Sequence, residues 1–199
     1  MSQIPKHLQT KRKNPSKKSL RDFALPVAFS AACTVTAVPA NADNDLFVDI
    51  PGTTGASLDT DFKGQTDVLS WSWGVYRPYT PGVGGGGGSS STPGFGEVTL
   101  DKAVDSATVG IQTLVLSGNS STITMSARAP SGSLAYQVEL QDARITSSQI
   151  DDAEGLPNAS EVVTIAYDRY CYTPFIQDTK GGVTQGTPVC WDLLKNDFF

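Results

Sequence analysis

The cysteines and the histidine are the residues of this 199-residue chain whose chemistry is most distinctive. The single histidine, His7, stands in a basic N-terminal segment, and Cys171 and Cys190 stand near the C-terminal end. Between these two cysteines, the pair Lys180-Gly181 is a turn signal. A hairpin that turns there places the cysteines opposite each other on neighbouring strands. We therefore predict a disulfide, which would stabilise the fold by about 3 kcal/mol.

Two acidic segments resemble cation sites but are better explained as polar turns. Asp59-x-Asp61 begins like a calcium-binding loop, yet its fifth position is Lys63 and its twelfth is Ser70. A calcium loop needs an oxygen ligand at the first of these positions and a bidentate glutamate at the second. The segment Asp151-Asp152-x-Glu154 offers a cation only weak binding, and a solvated acidic loop is the better account. We predict no metal site.

Two further patterns suggest binding chemistry that the sequence does not support. The glycines at 82, 84 and 87 match a dinucleotide-binding spacing, but any glycine run does so, and no helix signal follows them. Trp71 and Trp73 could stack on a sugar, but alternate tryptophans on an apolar strand more often belong to a core. We predict no cofactor and no catalytic residue.

The first 42 residues read as a secretory signal. An apolar stretch of 16 residues, 23–38, follows a basic run and leads to a small-x-small pattern, which predicts cleavage between Ala42 and Asp43. The stretch is shorter than the roughly 20 residues needed to span a bilayer. A retained membrane anchor stays open as an alternative, and a lipid anchor on Cys33 is a weaker one. The basic run consists of Lys6, Lys11, Arg12, Lys13, Lys17, Lys18 and Arg21.

Removal of this leader leaves one domain, residues 43–199, with a strongly acidic balance. Seven of the 15 basic residues and one of the 20 acidic residues lie in the leader, so the mature net charge is −11. Such a surface repels phosphate backbones and anionic lipids, so we expect no nucleic-acid partner and no membrane contact after cleavage. The location that follows is the periplasm or the exterior.

Alternation of apolar and polar residues predicts a β-rich domain. The face of the motif strand that carries Leu69, Trp71 and Trp73 is expected to face the core, as are Val98 and Leu100 on a later strand. Period-two runs with turns between them indicate a sandwich or barrel. The glycine- and serine-rich residues 81–94 predict a flexible, exposed loop. The runs are 46–50, 67–74, 95–102, 122–129, 134–140, 143–150 and 162–172.

Residues 106–117 break the alternation. Asp105 or Ser106 could cap a helix and Gly118 could end it, but the segment is rich in β-branched residues, which favour a strand. From these residues alone, helix and strand are equally supported.

Several blocks, taken in order, resemble the haemolysin-coregulated protein (Hcp) family, the tube protein of type VI secretion. The opening block is 47–52, and the most specific block is the motif strand 68–74. The glycine-rich loop follows, and the final block is 190–193. The motif strand consists of Val68, Leu69, Ser70, Trp71, Ser72, Trp73 and Gly74.

The resemblance implies a mostly β fold, a compact two-sheet β-barrel with one short α-helix packed on its side at 106–117. It implies a structural protein and not an enzyme, whose six copies form a ring and whose rings stack into a tube. A spike protein at the tip and effectors in the lumen would be its partners. The loop 52–65 would touch the next ring through Gly55, Ser57, Asp59, Phe62, Lys63 and Gly64.

The chain departs from the family in carrying a leader, and in having Phe62 where members often have histidine before Lys-Gly. Two other functions stay open at this point. One is a monomeric secreted β-sandwich that binds glycan or protein ligands. The other is a hydrolase that acts through an acidic pair, although nothing marks out any pair among the 19 acidic residues of the mature chain.

Overall fold

The computed structural model describes residues 44–81, 89–152, 154 and 158–199, all within a unit that spans Asn41–Phe199. The predicted leader, its cleavage point at Ala42 and Asp43, and the glycines of 82–88 lie outside the described residues. The helix is α1 (Ala107–Ser117), and the strands are β1 (Asp45–Asp49), β2 (Thr66–Val68), β3 (Ser70–Ser72), β4 (Val75–Tyr76), β5 (Tyr79–Thr80), β6 (Ser89–Ser90), β7 (Gly94–Phe95), β8 (Val98–Ala103), β9 (Ser121–Arg128), β10 (Leu134–Asp151), β11 (Ser160–Ala166), β12 (Arg169–Gln177), β13 (Val183–Gln185), β14 (Val189–Asp192) and β15 (Asp197–Phe198).

The central strand of the main sheet is β10, which has 18 residues and belongs to both halves of the fold. Its first half pairs with β9 and β12, and its second half pairs with β11, which continues to β8 and β3. Asp142 has a positive φ of 53° and lies at an irregularity in the pairing with β9. The two runs predicted at 134–140 and 143–150 therefore belong to one strand, so their prediction as separate strands was wrong.

The prediction of a mostly β fold with one short helix is confirmed. Two groups of strands face each other, joined by β10 and by Leu69, which connects β2 on one group to β3 on the other. The strand order does not close on itself within the described residues, so the barrel is an open one.

The interior is filled by the inward faces of the alternating runs. Val98 and Leu100 are completely buried, as are Met125 on β9 and Leu140 on β10. The burial of Val98 and Leu100 confirms the inward face predicted for their strand, because side chains two residues apart in a strand share a face.

The motif strand is interrupted at Leu69, contrary to the alternation expected for it. Leu69 is 69% exposed, whereas Val68 is 7% exposed. Val68 is the last residue of β2 and pairs with β1, but the chain then crosses to β8, where the Leu69 N–H donates to the carbonyl of Asp101. This change of partner resets which face points inward, so the prediction that Leu69 faces the core was wrong.

Two other segments differ from the sequence predictions. The run 162–172 forms parts of β11 and β12, which are separated by a turn where the Asp168 N–H donates to the carbonyl of Gln141. At the described ends of the predicted loop 81–94, β6 pairs with β5 and β7 begins, which pairs with β4, so each pair forms a short two-stranded sheet. The predicted flexibility of the loop stays a prediction.

Helix α1 ends as the sequence indicated, at Gly118 in the left-handed conformation (φ 67°), whose N–H donates to the carbonyl of Leu114. At its start, the Asp105 carboxylate accepts a hydrogen bond of 3.0 Å from the Ala107 N–H. The segment is helical despite its β-branched residues because Ala107 and Ile111 are completely buried against the sheet, and tertiary packing overrides weak propensities.

Candidate assembly surface

The loop 52–65 connects β1 to β2, and the family resemblance implies that it would touch another copy. Its two limbs pair through backbone hydrogen bonds, Gly55 N–H to Gly64 O at 2.8 Å and Ser57 N–H to Gln65 O at 3.1 Å. A Cβ on Gly55 would lie 2.1 Å from the Gln65 carbonyl oxygen, so the close approach requires glycine.

The first limb of the 52–65 loop is tied to the residues that precede α1. The Ala56 N–H donates to Asp105 Oδ2 at 3.3 Å, and the Ser106 hydroxyl donates to the carbonyl of Thr54 at 2.8 Å. The position of this limb is therefore coupled to the start of the helix.

The second limb lies against β1 and β9 through a stack of two rings and a cation. The rings of Phe47 and Phe62 are 4.3 Å apart with an interplanar angle of 8°. The Arg128 guanidinium carbon lies 5.1 Å from the centre of the Phe47 ring and 5.7 Å from that of Phe62. Such contacts hold aromatic rings at fixed positions because the cation is attracted to the ring face.

Asp59 completes this cluster. Its Oδ2 lies 2.6 Å from Arg128 Nη2, which also lies 2.9 Å from Oδ2 of Asp45. Its Oδ1 accepts hydrogen bonds from the N–H groups of Asp61 and Phe62. The hydrogen bond from Arg128, with those N–H groups, holds the pKa of Asp59 below its ordinary value although burial opposes it. Asp59 thus closes a polar turn with both carboxylate oxygens engaged.

The residues predicted to touch the next ring differ in how they face the solvent. Gly55 and Ser57 are buried, Asp59, Phe62 and Gly64 are half-buried, and Lys63 is exposed. The loop also carries Leu58, a large apolar side chain that is 90% exposed and that the sequence analysis did not single out. The sequence did contain a sign of this exposed residue, because Leu58 is a leucine inside an otherwise polar turn.

The tryptophans of the motif strand lie between the core and an open cavity. Trp71 and Trp73 are half-buried, and their indole N–H groups donate to the hydroxyls of Tyr136 and Tyr167, each at 3.1 Å. Both pack against the core, as favoured, but they also line a cavity of about 430 Å³. Its lining residues are Trp71, Ser72, Trp73, Met125, Tyr136, Val138 and Tyr172.

A buried ion pair that the sequence analysis missed fixes the start of α1. Lys102 Nζ lies 2.9 Å from Glu161 Oε2 and 2.7 Å from Asp105 Oδ1, and the side chains of Lys102 and Glu161 are fully buried. Thr108 and Ser148 donate to the two oxygens of Glu161. Burial alone would raise the pKa of Glu161, but these hydrogen bonds and that of Lys102 lower it below its ordinary value.

The signal for this pair was weak but present in the sequence. Lys102 continues the inward face of β8 that Val98 and Leu100 define, and a lysine at a core position requires an anionic partner. The partner lies 59 residues further along the chain, so the sequence did not identify it.

Cys171 on β12 and Cys190 on β14 are directly opposite in register and joined as a disulfide, with Cα atoms 4.1 Å apart. The connecting turn lies at residues 178–182, where Gly181 has a φ of 85° and the Asp178 N–H donates to the carbonyl of Gly182. The disulfide therefore links β12, which pairs with β10, to β14, which pairs with β15.

The described part of the chain holds no group of three or more potential metal ligands. Asp151, Asp152 and Glu154 are exposed. No helix in the same part of the chain has the length and apolar character needed to cross a membrane.

Comparison with known proteins identifies similar folds. A family model described as "Type VI secretion system effector, Hcp" matches residues 47–173. A solved type six secretion system protein is 19% identical, with a TM-score of 0.73 over 78% of this chain and 99% of the other. Hcp1 from Salmonella typhimurium is also 19% identical, with a TM-score of 0.64 over 79% of this chain and 100% of the other. A type VI secretion system effector from Yersinia pestis is 19% identical and has a TM-score of 0.59 over 74% of this chain and 99% of the other. At a sequence identity of 19%, the similarity to these three structures shows the fold alone. No curated protein is significantly similar to the chain in sequence.

Proposed function

Because the chain belongs to the Hcp family of type VI secretion proteins, we propose that it is a structural subunit that assembles with five copies of itself into a ring. Stacking of such rings would form a tube. The family is one of structural tube proteins and not of enzymes, so the hydrolase alternative loses its support. The alternative of a monomeric binding module is not favoured.

The observation that carries the stacking part of the proposal is the construction of the 52–65 loop. It is held at both limbs, yet Leu58 between them is 90% exposed. A fixed projection with an apolar tip suits a contact between copies, because an ordered loop loses little further conformational entropy on binding.

Open strand edges support ring closure. In the described part of the chain, β3 pairs only with β8, and β15 pairs only with β14. Each has one edge whose backbone N–H and carbonyl groups have no strand partner. Such edges readily pair with another chain, and identical subunits that do so around an axis form a closed ring.

The export route and the partners of the ring rest on the sequence and on the family. The predicted leader of residues 1–42 would bring the protein to the periplasm or the exterior. The disulfide Cys171–Cys190 supports that location, because such bonds persist in oxidising compartments. A spike protein at the tube end and effectors in the lumen would be partners as in the family.

The proposal is tested on full-length protein purified under oxidising conditions, by light scattering after size exclusion and by negative-stain electron microscopy. We expect a hexameric mass and rings that stack. Leu58→Asp should keep the hexamer and abolish stacking, because a carboxylate in a desolvated contact is costly. Leu116→Asp is the matched control, since Leu116 is 88% exposed and lies on α1, outside the loop and away from β3 and β15, and should leave both unchanged.

A wild-type protein that stays monomeric at high concentration would contradict the proposal and favour a binding module. If Leu58→Asp stacks as well as wild type does, the 52–65 loop does not form the contact between rings.

A further inference from the structure

Arg128, the last residue of β9, joins two elements that are separate in the sequence. Its guanidinium contacts Asp45 and Phe47 on β1, and Asp59 and Phe62 on the 52–65 loop. The two carboxylates and the two ring faces therefore converge on a single cation.

The geometry requires arginine and not merely a positive charge. The guanidinium is planar and has several donors, so Nη2 reaches Asp45 and Asp59 while the group stays 5.1 Å and 5.7 Å from the ring centres of Phe47 and Phe62. A lysine ammonium is a compact, strongly hydrated charge and cannot make the planar arrangement.

The contribution of this cluster to global stability is expected to be small. The Asp45 side chain is 58% exposed, and ion pairs open to solvent stabilise a fold little. Arg128 and Asp59 are more shielded, at 18% and 20% exposed, but their ion pair ties only a surface loop to the rest of the fold. What the cluster does restrict is one limb of a surface loop, which it holds against β1 and β9. Segments of this kind open locally without unfolding the whole protein.

We infer that Arg128 is the positioning residue of the 52–65 loop, holding it in the single conformation that presents Leu58 to the copy in the next ring. The inference rests on the proposed function of the loop. Arg128 controls stacking and not ring closure, because the ion pairs and ring contacts of its side chain lie on β1 and on the loop, away from the open edges of β3 and β15. Without it the second limb detaches, and the contact with the next ring must then offset the cost of reordering the loop.

The substitutions separate the contacts of the cluster. Arg128→Gln removes the cation, and Arg128→Lys keeps the charge without the planar group. Asp59→Asn keeps an oxygen for the N–H groups of Asp61 and Phe62 but loses the ion pair, whereas Asp45→Asn loses an ion pair that does not involve the loop. Arg144→Gln is the matched control, since Arg144 makes an exposed ion pair with Asp168 at 3.7 Å.

The measurements are amide hydrogen exchange, thermal unfolding and electron microscopy of the assembled protein. For Arg128→Gln and Asp59→Asn we expect exchange of the Gly64 and Gln65 amides to rise by roughly tenfold, with little change in melting temperature. Rings should persist while stacks become rare. Arg128→Lys should fall between wild type and Arg128→Gln. Asp45→Asn removes a contact that orients Arg128 but not the contact to the loop, so its effect should be smaller than that of Asp59→Asn. Arg144→Gln should behave as wild type.

Unchanged exchange in Arg128→Gln, or stacking equal to wild type, would overturn the inference. A large loss of melting temperature in Arg128→Gln would show a general structural role instead, which also overturns it. Absence of rings or stacks in the wild-type protein would overturn the proposed function, and amide exchange would then decide by itself whether Arg128 orders the loop.

Discussion

Lys102 and Glu161 form an ion pair of 2.9 Å between β8 and β11 in which both side chains are fully buried. Asp105 also contacts Lys102, and its second oxygen accepts the Ala56 N–H of the 52–65 loop. One network therefore links the core, the start of α1 and the candidate assembly surface.

Removal of one member of the pair should be far more costly than removal of both charges. Lys102→Met leaves Glu161 buried without its cation, and we expect the free energy of unfolding to fall by about 3–5 kcal/mol. In the double variant Lys102→Met/Glu161→Gln, the amide can still bond Thr108 and Ser148, so it should be more stable than Lys102→Met alone. Denaturant unfolding of the two single variants and the double variant measures this coupling, and strictly additive effects would contradict it.

Stability should fall in acid, in part through Glu161. Its folded pKa lies below the ordinary value of 4.5, so as the pH falls below about 4.5 the unfolded chain takes up the proton first. The contribution of Glu161 is therefore complete above that pH and is lost as the pH falls through the folded pKa. Asp59 has a lowered pKa as well and acts in the same direction.

Glu161→Gln is the control for this pH dependence. It should be less stable than wild type near neutral pH, and the difference should narrow as the pH falls, because wild type then carries a protonated, neutral side chain at the same place. Urea unfolding at several pH values measures the gap, and a gap that widens in acid would be the opposite of the expected result.

The disulfide between Cys171 and Cys190 spans a sequence separation of 19 residues. Replacement of both cysteines by alanine should lower the free energy of unfolding by about 3 kcal/mol, because the unfolded chain regains the freedom of that loop. Reducing agent should destabilise wild type by a similar amount and leave the alanine variant unchanged. Mass spectrometry of the non-reduced protein must find no free thiol at either position.

The same substitution should cost much more stability at Val68 than at its neighbour Leu69. Val68→Ser removes a buried side chain and should cost about 1.5–3 kcal/mol. Leu69→Ser changes an exposed side chain and should alter stability by less than about 0.5 kcal/mol. Thermal and denaturant unfolding compare them directly, and equal losses would show that Leu69 is buried after all.

The sequence by itself determined the features that depend on neighbours along the chain. Alternation predicted the inward faces of Val98 and Leu100, and Gly118 marked the end of the helix, because side-chain direction in a strand and the left-handed conformation of glycine are local properties. The spacing of Cys171 and Cys190 about a turn likewise predicted their pairing, since a hairpin relates its two strands by simple register.

Only the tertiary structure decided the features that depend on which strands meet. Leu69 turned outward because the chain changes from β1 to β8 as its partner, and no periodicity records that exchange. Glu161 reached Lys102, and Arg128 reached Asp59, across long stretches of sequence. A buried or clustered charge is stabilised by whichever opposite charge the fold brings near it, and that distance is a property of packing, not of order along the chain.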